Sequence, residues 1–175
     1  MKYLIDLDDT LVDSTTLNND AYNFALEMYG FNRILTNNRI TRSTIPNYKN
    51  KNDIINLKQQ YFISDWLPYR IQINNELLDK IKQWGSKNCY VWTKANSCRV
   101  NKILEDCNLK QYFCNIIFDD KKSFDESMDK LNKIFYNNEH LIIYENNHKF
   151  FKNKKCIILD SIKNQFSNIK GYLVR

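Results

Sequence analysis

The stretch Lys2-Tyr3-Leu4-Ile5-Asp6-Leu7-Asp8-Asp9-Thr10-Leu11-Val12 constrains the fold more than any other part of the chain. Tyr3, Leu4 and Ile5 form a short apolar run of strand-favouring residues that ends at a turn signal, which predicts a buried parallel strand. Asp6, Asp8 and Asp9 follow at once, with Thr10 beside them. Carboxylates this close repel one another and lose hydration at a buried strand end, so the cluster is hard to justify as packing and easy to justify around a cation. Ligands of open α/β sheets bind beyond the carboxyl ends of the strands, so position and composition both point to a site. Asp6 and Asp8 can face one cavity as the strand ends. One carboxylate could then attack phosphorus while touching a metal, and the other could give and later take a proton. The plainer reading is a strand end whose Asp and Thr side chains satisfy turn amides, but a turn does not need this many acids.

The rest of the chain repeats the pattern of a short apolar run followed by a polar turn. Cys89–Thr93, Asn115–Phe118, Leu141–Tyr144 and Cys156–Leu159 read as strands. Helical spacing covers Asn75–Trp84, stopped by Gly85, and Ser97–Cys107. A capping box at Ser123-Phe124-Asp125-Glu126 opens a further helix that runs to about Phe135. Strands and helices alternate without hairpin signals, which predicts an α/β fold: a doubly wound, Rossmann-like parallel sheet with helices on both faces. Between the first strand and this body lie two more helical patterns. Ala21, Phe24, Ala25 and Met28 mark one, ended by Gly30; Ile54, Ile55, Leu57, Tyr61 and Phe62 mark another over 52–66. Structureless loops of this length are uncommon, so 14–68 is expected to be a small helical insertion and 1–13 with 69–175 the core.

At 175 residues the chain fits one domain with an insertion. A net charge of +6 favours anionic partners, phosphorylated metabolites and nucleic acid alike, but no dense arginine run singles out nucleic acid. The five cysteines are odd in number and form no CxxC pair, the amino terminus lacks an apolar signal region, and no apolar run approaches the roughly 20 residues of a membrane span. The expectation is a reduced, soluble, cytoplasmic protein whose cysteines are mostly core filler. His140 and His148, the only histidines, are read as structural or surface residues.

Asp6-Leu7-Asp8-Asp9-Thr10-Leu11 resembles the DxDxT signature of the haloacid dehalogenase-like phosphatase superfamily, and the resemblance extends in order over nearly the whole chain. It implies Asp6 as the nucleophile and Asp8 as the acid/base. Thr93, closing a strand, is similar to the family's phosphate-holding Thr or Ser. The family's lysine falls at Lys121 or Lys122; Lys122, immediately before the next helix, is the expected one. Glu145 and Asn146 stand where the family holds magnesium, giving Asp6, Asp8, Glu145 and Asn146 as the expected metal set. Asn146 departs from the pattern, because many relatives carry Asp there and an amide brings no charge. The insertion resembles the helical cap of one branch, which closes over the site and meets the substrate's leaving group.

The implied function is a magnesium-dependent phosphomonoester hydrolase working through an aspartyl-phosphate. Its substrate would be a small phosphorylated metabolite such as a nucleotide or sugar phosphate. Tyr29, Tyr48, Tyr61 and Trp66 would suit such a ligand, or form the insertion's own core. Three other readings stand beside it. A polynucleotide end phosphatase would use the same chemistry. A polymerase-tail-type protein phosphatase shares the acid cluster and Trp92-Thr93 but usually lacks a helical cap. A non-catalytic binding protein could keep the same fold.

Overall fold

The computed structural model describes residues 1–63, 70–135, 140–163 and 168–174. Trp66 and the far end of the helix expected over 52–66 lie outside the described residues. Strand β1 (Lys2–Ile5) is central in a six-stranded sheet. It is flanked in parallel by β4 (Cys89–Thr93) and β6 (Leu141–Glu145), and β4 pairs in parallel with β5 (Asn115–Phe118). Beyond β6, strand β8 (Asn168–Val174) and edge strand β7 (Cys156–Lys163) complete the sheet. A two-residue strand β2 (Val12–Asp13) pairs antiparallel with β3 (Gln72–Ile73). The helices are α1 (Thr15–Met28), α2 (Lys51–Phe62), α3 (Asn75–Trp84), α4 (Ser97–Asp106) and α5 (Phe124–Ile134).

Alternation along the strands builds two cores, because successive side chains leave a sheet on opposite faces. Ile5, Val91 and Ile142 join Leu77 and Ile81 of α3 and Val100, Ile103 and Leu104 of α4. Leu4, Trp92, Ile117 and Ile143 join Leu131 of α5 and Phe135. Each fully buried aliphatic side chain contributes about 1.5–3 kcal/mol of transfer free energy. The cores therefore fix which face each helix covers, and helices lie on both faces as expected. Local signals agree: Asn74 accepts from the Leu77 amide at 3.2 Å to start α3, Ser123 accepts from the Glu126 amide at 3.3 Å to start α5, and Gly85 ends α3 at φ 78°.

The sheet differs from expectation at one edge. Cys156-Ile157-Ile158-Leu159 reads as another parallel strand, yet β7 pairs antiparallel with β8, and β8 pairs antiparallel with β6. The apolar run is not central: Ile157, Ile158 and Leu159 are each about half exposed at the edge. Gly171 is what admits β8 beside β6. A Cβ there would lie 2.8 Å from Tyr144 Cζ, so the Tyr144 ring packs across the glycine backbone.

The chain leaves the sheet at β2 and returns at β3, and the segment between them carries α1 and α2. These two helices have an apolar cluster of their own, including Tyr22, Leu26, Ile40 and Ile54. Tyr48 stacks on Phe31 and Tyr61 on Phe24, so both aromatics are committed to packing. Among the described residues no helix is long and apolar enough to cross a membrane.

Candidate active site

A cavity of about 510 Å³ opens where the carboxyl ends of β1, β4 and β6 meet the α1–α2 segment. The turn after β1 aims the acids into it. The Asp6 amide donates to the Tyr144 carbonyl at 3.0 Å, extending the β1–β6 pairing, while the Leu11 and Val12 amides both donate to the Leu7 carbonyl at 3.0 Å. This tight reversal puts Asp9 at φ 60°, a left-handed conformation that Asp tolerates better than most residues. Asp6 and Asp8 consequently both line the cavity.

Four sequence-predicted residues converge with Asp6. Thr93 is buried at the end of β4, where its Oγ1 accepts from the Ala95 amide at 3.1 Å, leaving its own hydrogen for a ligand. Glu145 is buried at the end of β6, where its Oε1 accepts from the Asn146 and Asn147 amides, each at 3.1 Å. Asp8 and Asn146 line the same cavity.

The lysine corrects the expectation. Lys121, not Lys122, reaches the site: its Nζ donates to Asp6 Oδ1 at 2.6 Å and to Glu145 Oε2 at 2.7 Å. Lys122 is three-quarters exposed and its nearest acid is Asp120, at 3.8 Å. The cause is the turn after β5. Asp119 accepts the Trp92 indole N–H at 3.0 Å and the Lys121 amide at 3.1 Å, which pins Lys121 at φ 49° and turns its side chain inward. There Lys121 Nζ lies 4.0 Å from the centre of the Trp92 ring.

Two arginines that the sequence reading missed complete the site. Arg39 Nη2 donates to Asp8 Oδ1 at 3.0 Å, and its Nη1 to Asp9 Oδ1 at 2.9 Å. Arg99, in the first turn of α4, pairs with Asp8 Oδ2. Ser14 donates to Asp8 Oδ1 at 2.7 Å. Arg39 is delivered by buried asparagines of α1: Asn19 accepts from the Ile40 amide at 2.8 Å and donates to the Asn38 carbonyl at 2.9 Å, clamping the backbone on both sides of Arg39. Asn18 adds a donation to the Ile40 carbonyl at 2.8 Å.

The acids respond differently to these surroundings. Burial, seconded by the Glu145 charge, raises the Asp6 carboxyl above the usual range despite Lys121. Burial also pushes Asp8 upward, but Arg99, Arg39 and the Ser14 hydroxyl outweigh it and hold Asp8 well below the usual range. Lys58 of α2 lines the cavity too; burial, then Arg99 and Arg39, bring it from 10.5 to about 7 against the pull of Asp8.

Among the described residues no group of three or more His, Cys, Asp or Glu is arranged to hold a metal ion. The donors of Asp6 and Asn146 are nevertheless oxygens, and among the described residues Asp6 Oδ2 has no cationic partner; it accepts from Thr10 Oγ1 at 3.3 Å. Magnesium commonly takes one or two carboxylates together with water and substrate phosphate, and Asp6 with the Asn146 amide oxygen suits that demand better than a softer metal. His148 is not among the cavity residues; its Nδ1 hydrogen-bonds Tyr172 Oη at 2.8 Å.

No protein-family model matches the chain, and no curated protein does. Solved structures do. A haloacid dehalogenase-like family hydrolase, SP0104 from Streptococcus pneumoniae, superposes with a TM-score of 0.64 at 17% identity, over 81% of this chain and 73% of that one. CbbY from Rhodobacter sphaeroides, in complex with phosphate, gives 0.63 at 19% identity over 81% and 76%. The HAD-hydrolase YfnB from Bacillus subtilis, bound to magnesium, gives 0.54 at 15% identity over 79% and 75%. By strand order, by the placement of the acid-bearing turn after β1 and by these superpositions, the chain has the fold of the haloacid dehalogenase-like hydrolases.

Proposed function

We propose that this chain hydrolyses phosphomonoesters through an aspartyl-phosphate. The observation that carries the reading is the convergence of Asp6, Thr93, Lys121 and Glu145, from the ends of separate parallel strands, on one cavity that Asp8 also enters. In the first half-reaction an Asp6 carboxylate oxygen attacks phosphorus, the ester P–O bond breaks, and Asp8 gives its proton to the leaving oxygen. In the second, a water oxygen attacks the same phosphorus, its proton passes to Asp8, and the P–O bond to Asp6 breaks to release phosphate. The Thr93 hydroxyl and the Lys121 ammonium hold the transferring oxygens, where preorganised donors favour the charge that develops. Magnesium would be held by Asp6, the Asp8 backbone carbonyl and Asn146, with Glu145 adding charge nearby, and it would supply neutralisation of the phosphoryl oxygens.

Residues 14–68 act in this reading as a cap over the site. Arg39 supports that, since it reaches from the insertion to Asp8 and Asp9 of the core. A small phosphorylated metabolite suits a 510 Å³ cavity.

Asp6→Asn is expected to lower magnesium-dependent hydrolysis of p-nitrophenyl phosphate by about 10⁴-fold or more with the fold intact. Full activity of that variant would overturn the reading. One observation favours a second reading, a phosphate-ligand-binding protein without turnover: both Asp8 oxygens are engaged by guanidinium groups, which favours the ionised form over the proton donor. Absence of hydrolysis across a panel of phosphate esters, with ligand binding retained, would select it.

A further inference from the structure

The charges lining the cavity do not all pair. Lys121 is matched by Asp6 and Glu145, Arg39 by Asp8 and Asp9, and Arg99 by Asp8. Lys58 and Arg42, which line the same cavity from the inserted segment, make no ion pair among the described residues. Lys58 is 1% exposed, deeper than lysine normally goes without an anion. Its Nζ sits between the rings of Tyr22 and Phe62, 4.9 Å from each centre, with no hydrogen bond or ion pair among the described residues. Aromatic faces compensate an ammonium only in part. Arg42 Nη2 donates to a neutral acceptor, Asn52 Oδ1, at 3.0 Å. Two further buried atoms in this wall lack a hydrogen-bond partner, Arg99 Nε and Gln59 Oε1. A deeply buried cation and a second cation held only by a neutral acceptor, both lining one cavity, describe a wall with positive charge to spare.

We propose that this wall is a subsite for a second anionic group, so that the substrate is a phosphomonoester carrying another phosphate or a carboxylate. The proposal rests on the phosphoester reading above for the first group, which Thr93 and Lys121 take at the strand ends. The second group reaches Lys58 and Arg42 on the insertion side. With Arg39 and Arg99 already committed to Asp8, Lys58 is a buried cation without an ion pair among the described residues.

The test is equilibrium binding by calorimetry, made on the full-length Asp6→Asn chain with magnesium so that turnover plays no part. The probes are propyl phosphate, 1,3-propanediol bisphosphate and 3-phosphooxypropanoate. Both two-anion probes are expected to bind at least about tenfold tighter than propyl phosphate, the scale of a desolvated charge pair. Adding Lys58→Met is expected to erase that preference while propyl phosphate affinity stays within about twofold. Arg42→Gln, at an exposed position that leaves the packing alone, is expected to reduce it in the same direction. A bisphosphate that exceeds the phosphocarboxylate assigns the second group as phosphate, and the reverse order assigns carboxylate; both support the subsite. Equal affinity for all three probes, or a preference that survives both substitutions, overturns it. A 5′-phosphorylated oligonucleotide that outcompetes every small probe also overturns it, in favour of a polymer end. If p-nitrophenyl phosphate is not hydrolysed by the unmodified protein and the two-anion preference persists, the subsite stands and only the hydrolase reading falls.

Discussion

Replacing Lys58 by methionine is expected to make the protein more stable. The side chain is buried under α2, faced by Arg99 and Arg39 as like charges, by Asp8 as an opposite one, and by the Tyr22 and Phe62 rings. Its fall from 10.5 to about 7, at about 1.4 kcal/mol per pH unit, means that the folded state carries a cost of about 4 kcal/mol at pH 7. Methionine fills a similar volume without the charge, so the variant should be more stable at pH 7 by up to about 4 kcal/mol. The sign with pH follows from which state holds the proton. Below about 7 the lysine is protonated folded and unfolded, and the whole cost applies. Above it the folded protein sheds the proton first, the unfolded chain binds more protons, and the stability of the unsubstituted protein rises with pH. By about pH 9 roughly half of the cost is gone, and the advantage of Lys58→Met should have fallen in about the same proportion. Urea unfolding of both proteins at the two pH values, with m unchanged, reads this directly, because every other titrating group is common to the pair. A variant less stable than the parent at pH 7, or an advantage that does not change with pH, would refute the assignment of Lys58 as an uncompensated buried cation.

The remaining predictions concern the lysine pair and the sheet. Lys121→Ala should lower kcat on p-nitrophenyl phosphate by about a hundredfold or more, since it removes a donor from the transferring oxygens and leaves Asp6 facing Glu145. Lys122→Ala should stay within about twofold, and steady-state kinetics on the two variants checks both. Gly171→Ala puts a Cβ 2.8 Å from Tyr144 Cζ and should cost about 1–3 kcal/mol in urea unfolding, the usual penalty of overpacking. An unchanged midpoint would mean that the Tyr144 ring has another place to go.

What was legible in the sequence is what lies close together along it. Tyr3-Leu4-Ile5 announces a buried strand and Asp6 to Asp9 a site because the apolar run and the acids are contiguous. The turns that start α3 and α5 are equally local. The choice between Lys121 and Lys122 is not local. It depends on Asp119 bonding the indole of Trp92, a residue of a neighbouring strand, and nothing in the pair Lys121-Lys122 records that contact. The β7–β8 hairpin was hidden for a similar reason. A run such as Ile157-Ile158-Leu159 has the composition of a central parallel strand, and only its neighbours in the sheet show that it lies at the edge.

The cations of the site were hidden to different degrees. Arg39 sits in an irregular polar stretch, and its direction is set by Asn18 and Asn19, whose polar side chains are buried clamps. Arg99 and Lys58 carried a signal in plain view. Arg99 precedes Val100 on the stripe that continues to Ile103, and Lys58 stands midway between Ile54 and Phe62, four residues from each, on the buried face of α2. A charged residue on an apolar helical stripe contradicts the packing rule that places the helix, and such local contradictions concentrate where function overrides stability. The same rule separates the two lysines that matter here from the many that do not. Lys121 is held by acids the chain supplies, while Lys58 is buried beside arginines with no acid of its own. In the hydrolase reading proposed above, the first arrangement prepares a nucleophile's surroundings. The second carries a cost that a bound anion would relieve, and it is the stronger argument for the anionic subsite proposed above.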